Sequence, residues 1–232
     1  MAVEPSRTKP KALVSWSSGK DSAWTLHVLR LAGEVEVIGL ITTVNERFER
    51  VAMHAVRRDL LRAQALAAEL PLWEVPIPSP CSNLEYEAAM RRLIERARSA
   101  GVEKIAFGDL FLEDIRRYRE QQLAGTGISP LFPLWQRPTG ELAREMLKAG
   151  VRAHVTCVDP AQIPKRLAGR LWDQALLEEL PSSADPCGEN GEFHTFVSAG
   201  PMLGRSLPVE PGPVVERDGF VFADLVLPGG LA

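Results

Sequence analysis

With 232 residues, of which 45% are hydrophobic and 25% are charged, the chain can bury one large domain, or one domain with a small appendage. This composition is ordinary for a folded protein and excludes long disordered segments beyond roughly the first ten residues. The 27 Lys and Arg residues against 30 Asp and Glu give a net charge of -3, and the lack of a basic excess argues against binding to duplex nucleic acid.

Short apolar runs alternate with helical periodicities along most of the chain. Runs rich in β-branched residues predict strands at residues 12–16, 35–43, 72–77, 104–107 and 151–158, with a short extended piece at 130–134. Apolar residues at steps of three and four predict helices at residues 21–31, 53–70, 84–100, 113–124, 139–149 and 171–180. This alternation predicts an α/β fold with a mostly parallel sheet that is covered on both faces.

The pattern changes in the last third of the chain. Asp218-Gly219 lies between two β-branched runs, and this dipeptide favours a hairpin because both central positions reach positive φ. We expect a nucleotide-binding domain at residues 1–130. A smaller mixed α/β domain, which ends in the hairpin, is expected at residues 131–232.

Three cysteines, Cys81, Cys157 and Cys187, lie far apart, and no Cys-x-x-Cys occurs. This spacing excludes a zinc ribbon and does not indicate a disulfide framework, so a reducing cytoplasm is the expected compartment. No apolar run approaches the roughly 20 residues that span a bilayer, and the N-terminus lacks the apolar segment of a signal peptide. We therefore expect a cytoplasmic protein without a membrane partner.

The loop between the first predicted strand and helix has the chemistry of an anion site. It reads Ser17-Ser18-Gly19-Lys20-Asp21-Ser22. Its small residues let backbone N–H groups converge on an anion, and the helix N-terminus adds partial positive charge. Lys20 adds a full charge, and Asp21 suits a Mg²⁺ ion that bridges phosphates. The alternative is an ordinary N-cap of the helix. A Walker A loop is excluded, because its lysine is followed by Ser or Thr, whereas Lys20 is followed by Asp21.

A second motif lies near the C-terminus and reads Asp185-Pro186-Cys187-Gly188-Glu189-Asn190-Gly191-Glu192-Phe193-His194-Thr195-Phe196. Its glycines permit a tight backbone path. Glu189, Glu192 and His194 crowd ionisable side chains together, and strand alternation after Gly191 predicts Glu192 and His194 on one face. Such groups suit substrate binding or proton transfer. Taken alone, the segment could equally be a solvated surface turn.

Together the two motifs resemble those of the diphthine–ammonia ligase family, a branch of the PP-loop ATP pyrophosphatases. The first motif resembles the PP-loop, usually Ser-Gly-Gly-Lys-Asp-Ser, with Ser18 in place of a glycine. The resemblance covers about residues 12–203 and includes segments 53–57, 107–114 and 132–135. It implies a Rossmann-like parallel sheet of the nucleotide α-hydrolase type with a smaller C-terminal α/β domain that receives the substrate.

The second motif departs from the family pattern. Members that act on diphthine tend to read Gly-Glu-Gly-Gly-Glu-Tyr-Glu-Thr, whereas this chain has Asn190, Phe193 and His194 at the third, sixth and seventh positions. The Ala- and Arg-rich composition is also typical of a bacterial-type member. A small carboxylic acid is therefore an alternative acceptor to diphthine on elongation factor 2.

The resemblance implies an ATP-dependent amide ligase: a carboxylate is adenylated with release of pyrophosphate, and ammonia then displaces AMP. The implied catalytic residues are Lys20, Asp21, Glu189 and Glu192, with Asp21 as the metal ligand. ATP would be bound by Ser17, Ser18, Gly19, Lys20, Asp21, Ser22, Thr42, Gly108 and Asp109. The acceptor would be bound by Cys187, Gly188, Glu189, Asn190, Gly191, Glu192, Phe193, His194 and Thr195.

The implied cofactors are ATP and Mg²⁺. The implied partners are ATP, ammonia and a carboxylate carried by a small molecule or a protein, and a homodimer is one assembly left open.

Two other functions stay open at this point. One is a PP-loop ATPase that adenylates a different acceptor, either a small metabolite or a tRNA base. The acidic balance and the lack of Cys-x-x-Cys argue against sulfur delivery to tRNA. The other is a non-catalytic sensor of adenine nucleotides, which could dispense with Lys20 or Asp21. Cys187 is either a nucleophile or, as we favour, a structural thiol. His54 and Arg57 are expected to share one face of a helix, and this face would contact phosphate, a carboxylate or solvent.

Overall fold

The computed structural model describes residues 8–45, 50–51 and 56–229 of the chain, with the backbone alone at residues 50 and 51. Within these ranges ten strands and six α-helices are arranged around two sheets. None of these helices is long and apolar enough to cross a membrane.

The first sheet belongs to the N-terminal part of the chain. Its strands are β1 Lys11–Ser15, β2 Glu36–Asn45, β3 Arg50–Val51, β4 Leu72–Ile77, β5 Val102–Ala106 and β6 Ser129–Leu131. Five strands run parallel in the order β4-β2-β1-β5-β6, and β3 pairs antiparallel with the end of β2. The predicted parallel sheet is thus confirmed, and β1 lies at its centre.

Four helices cover both faces of this sheet. They are α1 Lys20–Ala32, α2 Arg58–Ala67, α3 Asn83–Ser99 and α4 Glu113–Leu123. Neighbouring residues of a strand point to opposite faces, and both faces of β1 are buried. Leu13 packs in an apolar cluster with α3, whereas Val14 packs in the cluster that contains α1 and α2. Burial on both faces explains why the strands read as continuous apolar runs.

The second sheet is antiparallel throughout. Its strands are β7 Arg152–Val158, β8 Phe193–Ala199, β9 Glu210–Arg217 and β10 Phe220–Val226, in the order β8-β7-β10-β9. Helix α5, Thr139–Lys148, precedes β7 along the chain. The 3-10 turn Lys165–Leu167 and helix α6, Gln174–Glu179, lie between β7 and β8. The predicted hairpin is confirmed, because Asp218 and Gly219 join β9 to β10 with φ values of 54° and 85°.

Some element boundaries differ from the sequence prediction. Helix α2 ends at Ala67 rather than at residue 70, because Glu69 adopts a left-handed φ of 56° that does not continue a helix. The predicted start of this helix, at Met53, lies outside the described residues, but the helix begins only at Arg58. Arg57 is its extended N-cap, with φ -63° and ψ 144°, so the prediction that Arg57 lies on a helix face is wrong. Helix α6 begins at Gln174 rather than at residue 171, because Leu171 pairs with His154.

The division between residues 1–130 and 131–232 stays a prediction. Strand β6 spans that point as part of the first sheet, and one apolar cluster contains buried residues from both sides, among them Val14 and Val155. The two parts share this packing region, and β8 of the second sheet contacts α1 of the first. This contact positions the candidate site.

Candidate active site

The PP-loop, residues 17–22, lies at the carboxyl end of the central strand β1, where ligands bind in open parallel sheets. Its side chains close the loop on itself. Ser17 Oγ accepts the Gly19 N–H at 3.3 Å and lies 3.1 Å from Ser22 Oγ. Ser22 Oγ donates to the Gly19 carbonyl at 3.0 Å. The loop is therefore preformed at the N-terminus of α1, whose partial positive charge favours an anion.

Ser18 occupies the strained position of this loop. Its φ of 71° lies in the left-handed region, which costs a residue other than glycine roughly 1–3 kcal/mol. Its carbonyl accepts hydrogen bonds from the Val197 N–H of β8 and from the Gln64 amide of α2, both at 3.0 Å. Its buried hydroxyl has no hydrogen-bond partner among the described residues. The glycine that is usual in PP-loops would suit this position better.

We expect Ser18→Gly to raise the free energy of unfolding by about 1 kcal/mol, because it relieves the φ strain and removes an unpaired buried hydroxyl. The greater entropy of glycine in the unfolded chain offsets part of the gain. Denaturant unfolding measures the difference. Ser206, an exposed residue without positive φ, provides the control. A Ser18→Gly variant that is destabilised as much as Ser206→Gly would contradict the strain argument.

Lys20 is a buried cation within the PP-loop. Its ammonium donates to both carboxylate oxygens of Asp21, at 3.0 and 2.8 Å, and to the carbonyl of Cys187. It lies 5.5 Å from the ring centroids of Trp172 and Phe193. Burial alone would lower the pKa of Lys20, but the charge of Asp21 and its neighbours outweighs burial and raises that pKa. The side chain therefore stays charged at neutral pH.

Gly108, which follows β5, lies against the start of α1. A Cβ atom at Gly108 would come within 2.9 Å of the Asp21 carbonyl carbon and 3.0 Å of the Ser22 nitrogen. Glycine thus lets the loop after β5 touch the PP-loop. This close approach places Asp109 beside Asp21 in one cavity.

The Gly-rich loop, residues 185–192, is folded by its own carboxylates. Asp185 Oδ2 accepts the N–H groups of Cys187 and Glu189 at 3.2 and 3.0 Å. Glu192 Oε1 accepts the Asp185 N–H at 2.7 Å and the Asn190 side-chain amide at 3.1 Å. Asp185 and Glu192 thus use their charge to shape the loop.

Two further contacts hold the Gly-rich loop in place. Glu189 Oε1 accepts the N–H of Leu110, in the loop after β5, at 2.7 Å. Gly188 has a φ of 71°, and a Cβ atom there would come within 2.8 Å of the Phe193 carbonyl oxygen. The loop is consequently joined to the first sheet on one side and packed against the start of β8 on the other.

Two adjoining cavities open at this edge of the sheet. The smaller, of about 240 Å³, lies between the PP-loop, the loop after β5 and the Gly-rich loop. The predicted site residues that line it are Ser17, Gly19, Asp21, Ser22, Gly108, Asp109, Cys187, Gly188, Glu189, Gly191, Phe193, His194 and Thr195. The larger, of about 610 Å³, is bounded by the ends of β1, β2 and β4 and by α3 and α4, and Thr42 lines it.

Burial shifts the pKa values of several ionisable side chains of the smaller cavity, and Glu189 and His194 are two of them. Burial raises the pKa of Glu189 to about 7, and the charges of Asp21 and Asp109 add to the shift. Burial lowers the pKa of His194 to about 4, and the nearby charge of Lys20 acts in the same direction. The cavity therefore holds a carboxyl group that titrates near neutral pH beside an imidazole that is neutral there.

Two family models match the chain. The model described as the diphthamide synthase N-terminal domain matches residues 10–129, and the one described as the diphthamide synthase C-terminal domain matches residues 138–220. The chain belongs to the diphthamide synthase family. The first match contains the PP-loop and the second contains the Gly-rich loop, so the resemblance seen in the sequence is confirmed.

Curated relatives of this diphthamide synthase family member carry the name diphthine–ammonia ligase. The chain is similar to the Homo sapiens protein, at 28% identity over 234 residues, which covers 89% of this chain and 85% of the relative. The Bos taurus protein is 27% identical with the same coverage. The Schizosaccharomyces pombe protein is 25% identical over 225 residues, and the chain spans only 37% of that longer relative.

Four predicted site residues of this family member line neither cavity: Ser18, Lys20, Asn190 and Glu192. Ser18 and Lys20 are buried, and Asn190 bonds within the Gly-rich loop. Glu192 does not share the cavity with His194, because β8 begins only at Phe193 and the alternation does not extend to Glu192. A catalytic role for Glu192 stays a prediction, whereas its contacts favour a role in positioning the loop.

Three other residues singled out in the sequence have distinct settings. Arg57 pairs with the Asp224 carboxylate through Nε at 3.0 Å, so it meets a carboxylate of β10. His54 lies outside the described residues. The Cys187 thiol contacts the Thr139 carbonyl at 3.5 Å, and burial raises its pKa, which opposes a nucleophilic role.

Gln64 and Arg119 were not identified from the sequence of this family member. Gln64 donates to the Ser18 and Val197 carbonyls at 3.0 and 2.6 Å and accepts the Trp16 indole N–H at 2.9 Å. It falls four residues after Leu60 on the apolar stripe of α2, where a buried polar side chain must find partners. That position was the available signal. Arg119 lines both cavities, and no motif points to it.

Proposed function

We propose that this family member is an ATP-dependent ligase that forms an amide from ammonia and a carboxylate and releases AMP and pyrophosphate. The observation that supports it best is the shared cavity: the PP-loop and the Gly-rich loop both line the space of about 240 Å³. The adjoining cavity of about 610 Å³ has a largely apolar lining that suits a nucleoside. ATP would extend from one cavity into the other.

The first proposed step is adenylation of the acceptor. A carboxylate oxygen attacks the α-phosphorus, the bond from that phosphorus to the bridging oxygen breaks, and pyrophosphate leaves with the electron pair. No proton moves in this step. The buried ammonium of Lys20, which pairs with Asp21 of the same loop, supplies a fixed positive charge near the proposed pyrophosphate site. Preorganised charges of this kind stabilise transition states strongly.

The second proposed step is amide formation. The nitrogen of ammonia attacks the acyl carbon, the bond to AMP breaks, and the nitrogen loses one proton to a base. Glu189 is the proposed base, because its carboxyl group lines the cavity and the Leu110 N–H fixes its orientation. A base whose pKa lies near the working pH transfers protons efficiently.

Mg²⁺ fits the site as a companion of ATP. Within the described ranges no three His, Cys, Asp or Glu side chains lie close enough to hold a metal ion by themselves. Mg²⁺ in phosphate sites usually takes one or two carboxylates together with phosphate oxygens and water. Asp21, which lines the smaller cavity, is the side chain that would hold it, and the ion would offset phosphate charge.

Diphthine, the substrate in the name of the relatives, is the first acceptor to test, and small carboxylic acids come second. Small carboxylic acids stay candidate acceptors because Phe193 and His194, two of the three departures from the family motif, both line the smaller cavity. Acceptor selectivity would depend on these side chains.

Product analysis tests the proposed function. Purified protein is incubated with Mg-ATP, ammonium and either diphthine-bearing elongation factor 2 or a panel of carboxylic acids, and AMP, ADP, pyrophosphate and phosphate are quantified. Equal amounts of AMP and pyrophosphate that depend on the acceptor are expected. ADP and phosphate as the products would contradict cleavage between the α- and β-phosphates, and with it the proposal.

We expect the amide-forming rate to rise as the pH increases through about 7, because Glu189 accepts a proton only in its deprotonated form. Single-turnover measurements from pH 5.5 to 8.5 would report the inflection. More free ammonia at high pH raises the rate in every variant, so the comparison is made with Glu189→Gln. The inflection near 7 should vanish in this variant; an unchanged profile would exclude Glu189 as the base.

A further inference from the structure

Arg119 lies where the two cavities meet. Four residues line both spaces, namely Ser15, Ser17, Phe107 and Arg119, and Arg119 is the cation among them. The side chain comes from α4 and its guanidinium lies over the Phe107 ring, 5.0 Å from the centroid. The side chain is 31% exposed, so it is partly held by packing and still reaches the cavities.

The hydrogen-bonding capacity of Arg119 is not used up by the protein. Its Nε forms an ion pair with Asp109 Oδ2 at 3.6 Å, a separation that is beyond ordinary hydrogen-bonding distance. Both atoms are buried, and neither has a hydrogen-bond partner among the described residues. Buried polar atoms without a hydrogen bond are costly and often mark a site that is completed by a ligand.

We infer that Arg119 binds the α-phosphate of the nucleotide, which makes it a further catalytic residue. This inference depends on the proposed function, in which the β- and γ-phosphates lie at the PP-loop and the nucleoside lies in the larger cavity. The α-phosphate then falls at the junction that Arg119 lines. A planar guanidinium suits phosphate oxygens, to which it can donate two parallel hydrogen bonds.

This position gives Arg119 a role that Lys20 does not have. When the acceptor oxygen attacks the α-phosphorus and the bond to the bridging oxygen breaks, negative charge is shared among the non-bridging α oxygens. Lys20 is paired with Asp21 of the same loop, and in the proposed function its charge acts on the pyrophosphate side. Arg119 stays with the AMP portion after pyrophosphate has left, and so retains the adenylate until ammonia arrives.

The test compares AMP with adenosine, because the two ligands differ only in the α-phosphate. Calorimetry on the full chain should show that Arg119→Gln weakens AMP binding at least tenfold and changes adenosine binding less than twofold. Arg117→Gln, at an exposed position two residues earlier on α4, is the matched control and should bind both ligands normally.

In the Arg119→Gln variant the Asp109 carboxylate has no cation beside it. A second variant tests whether this lone charge by itself disturbs the fold. Asp109→Asn combined with Arg119→Gln leaves no lone charge, and it should lose AMP affinity to the same extent. Equal AMP affinity in the variants and the unaltered protein would overturn the inference, and so would a parallel loss of adenosine affinity. Failure of the unaltered protein to bind AMP would instead overturn the proposed function itself.

Discussion

Replacing Lys20 by methionine is expected to lower kcat/KM for AMP formation by about 10³-fold while the fold is retained. The ammonium is a fixed buried cation of the PP-loop, and its removal takes away charge that would stabilise the leaving pyrophosphate. Methionine has a similar length, and its sulfur can pack between the Trp172 and Phe193 rings that now flank the ammonium. AMP release under saturating acceptor and ammonium measures the loss, and circular dichroism reports the fold.

Lys148→Met is the control for this experiment. Lys148 is exposed at the end of α5, far along the chain from either loop, and its replacement should leave the rate unchanged. A Lys20→Met enzyme that keeps more than one third of the normal rate would exclude the role given to Lys20.

The largest expected loss of stability follows from Gln64→Leu, at about 3–5 kcal/mol. Leucine keeps the volume, but the Trp16 indole N–H and the Val197 carbonyl lose the partners that Gln64 provides at 2.9 and 2.6 Å. Each buried group left without a partner costs about 1–3 kcal/mol, and the Ser18 carbonyl also loses one of its two donors. The melting temperature should fall by about 10 °C for a chain of this length.

Gln174→Leu provides the matched control. Gln174 is exposed at the start of α6, and among the described residues its side chain donates to Glu178 of the same helix alone. Its replacement should therefore change stability by less than about 0.5 kcal/mol. Thermal unfolding by calorimetry compares the two variants. Equal melting temperatures would mean that the Gln64 network contributes nothing to the free energy of unfolding.

Features with a local cause could be predicted from the sequence. The PP-loop is six consecutive residues whose side chains bond to one another, as in the contact between Ser17 and Ser22. The hairpin depends on the φ preferences of Asp218 and Gly219 alone. The order of strands and helices follows from periodicity in the same local way. The amino-acid sequence by itself therefore predicts the parallel sheet and both loops of the candidate site.

Contacts made by backbone groups across the chain could not be predicted. Lys20 bonds to the carbonyl of Cys187, and Ser18 accepts the N–H of Val197. A backbone partner leaves no side-chain pattern in the sequence, so neither pairing has a signature. The placement of Glu192 was missed for a related reason, because alternation holds only where a strand is pleated and Glu192 precedes β8.

Strand β8 connects the PP-loop to the Gly-rich loop. It accepts the Lys20 N–H at Thr195 Oγ1, at 3.1 Å, and donates the Val197 N–H to Ser18, and it begins directly after the Gly-rich loop. A ligand that moves one of these loops must therefore change the conformational free energy of the other loop. If ATP changes the affinity for the acceptor, thermodynamic reciprocity requires that the acceptor change the affinity for ATP by the same factor. Under the proposed function, we therefore expect the measured affinity for ATP to depend on whether the acceptor is bound.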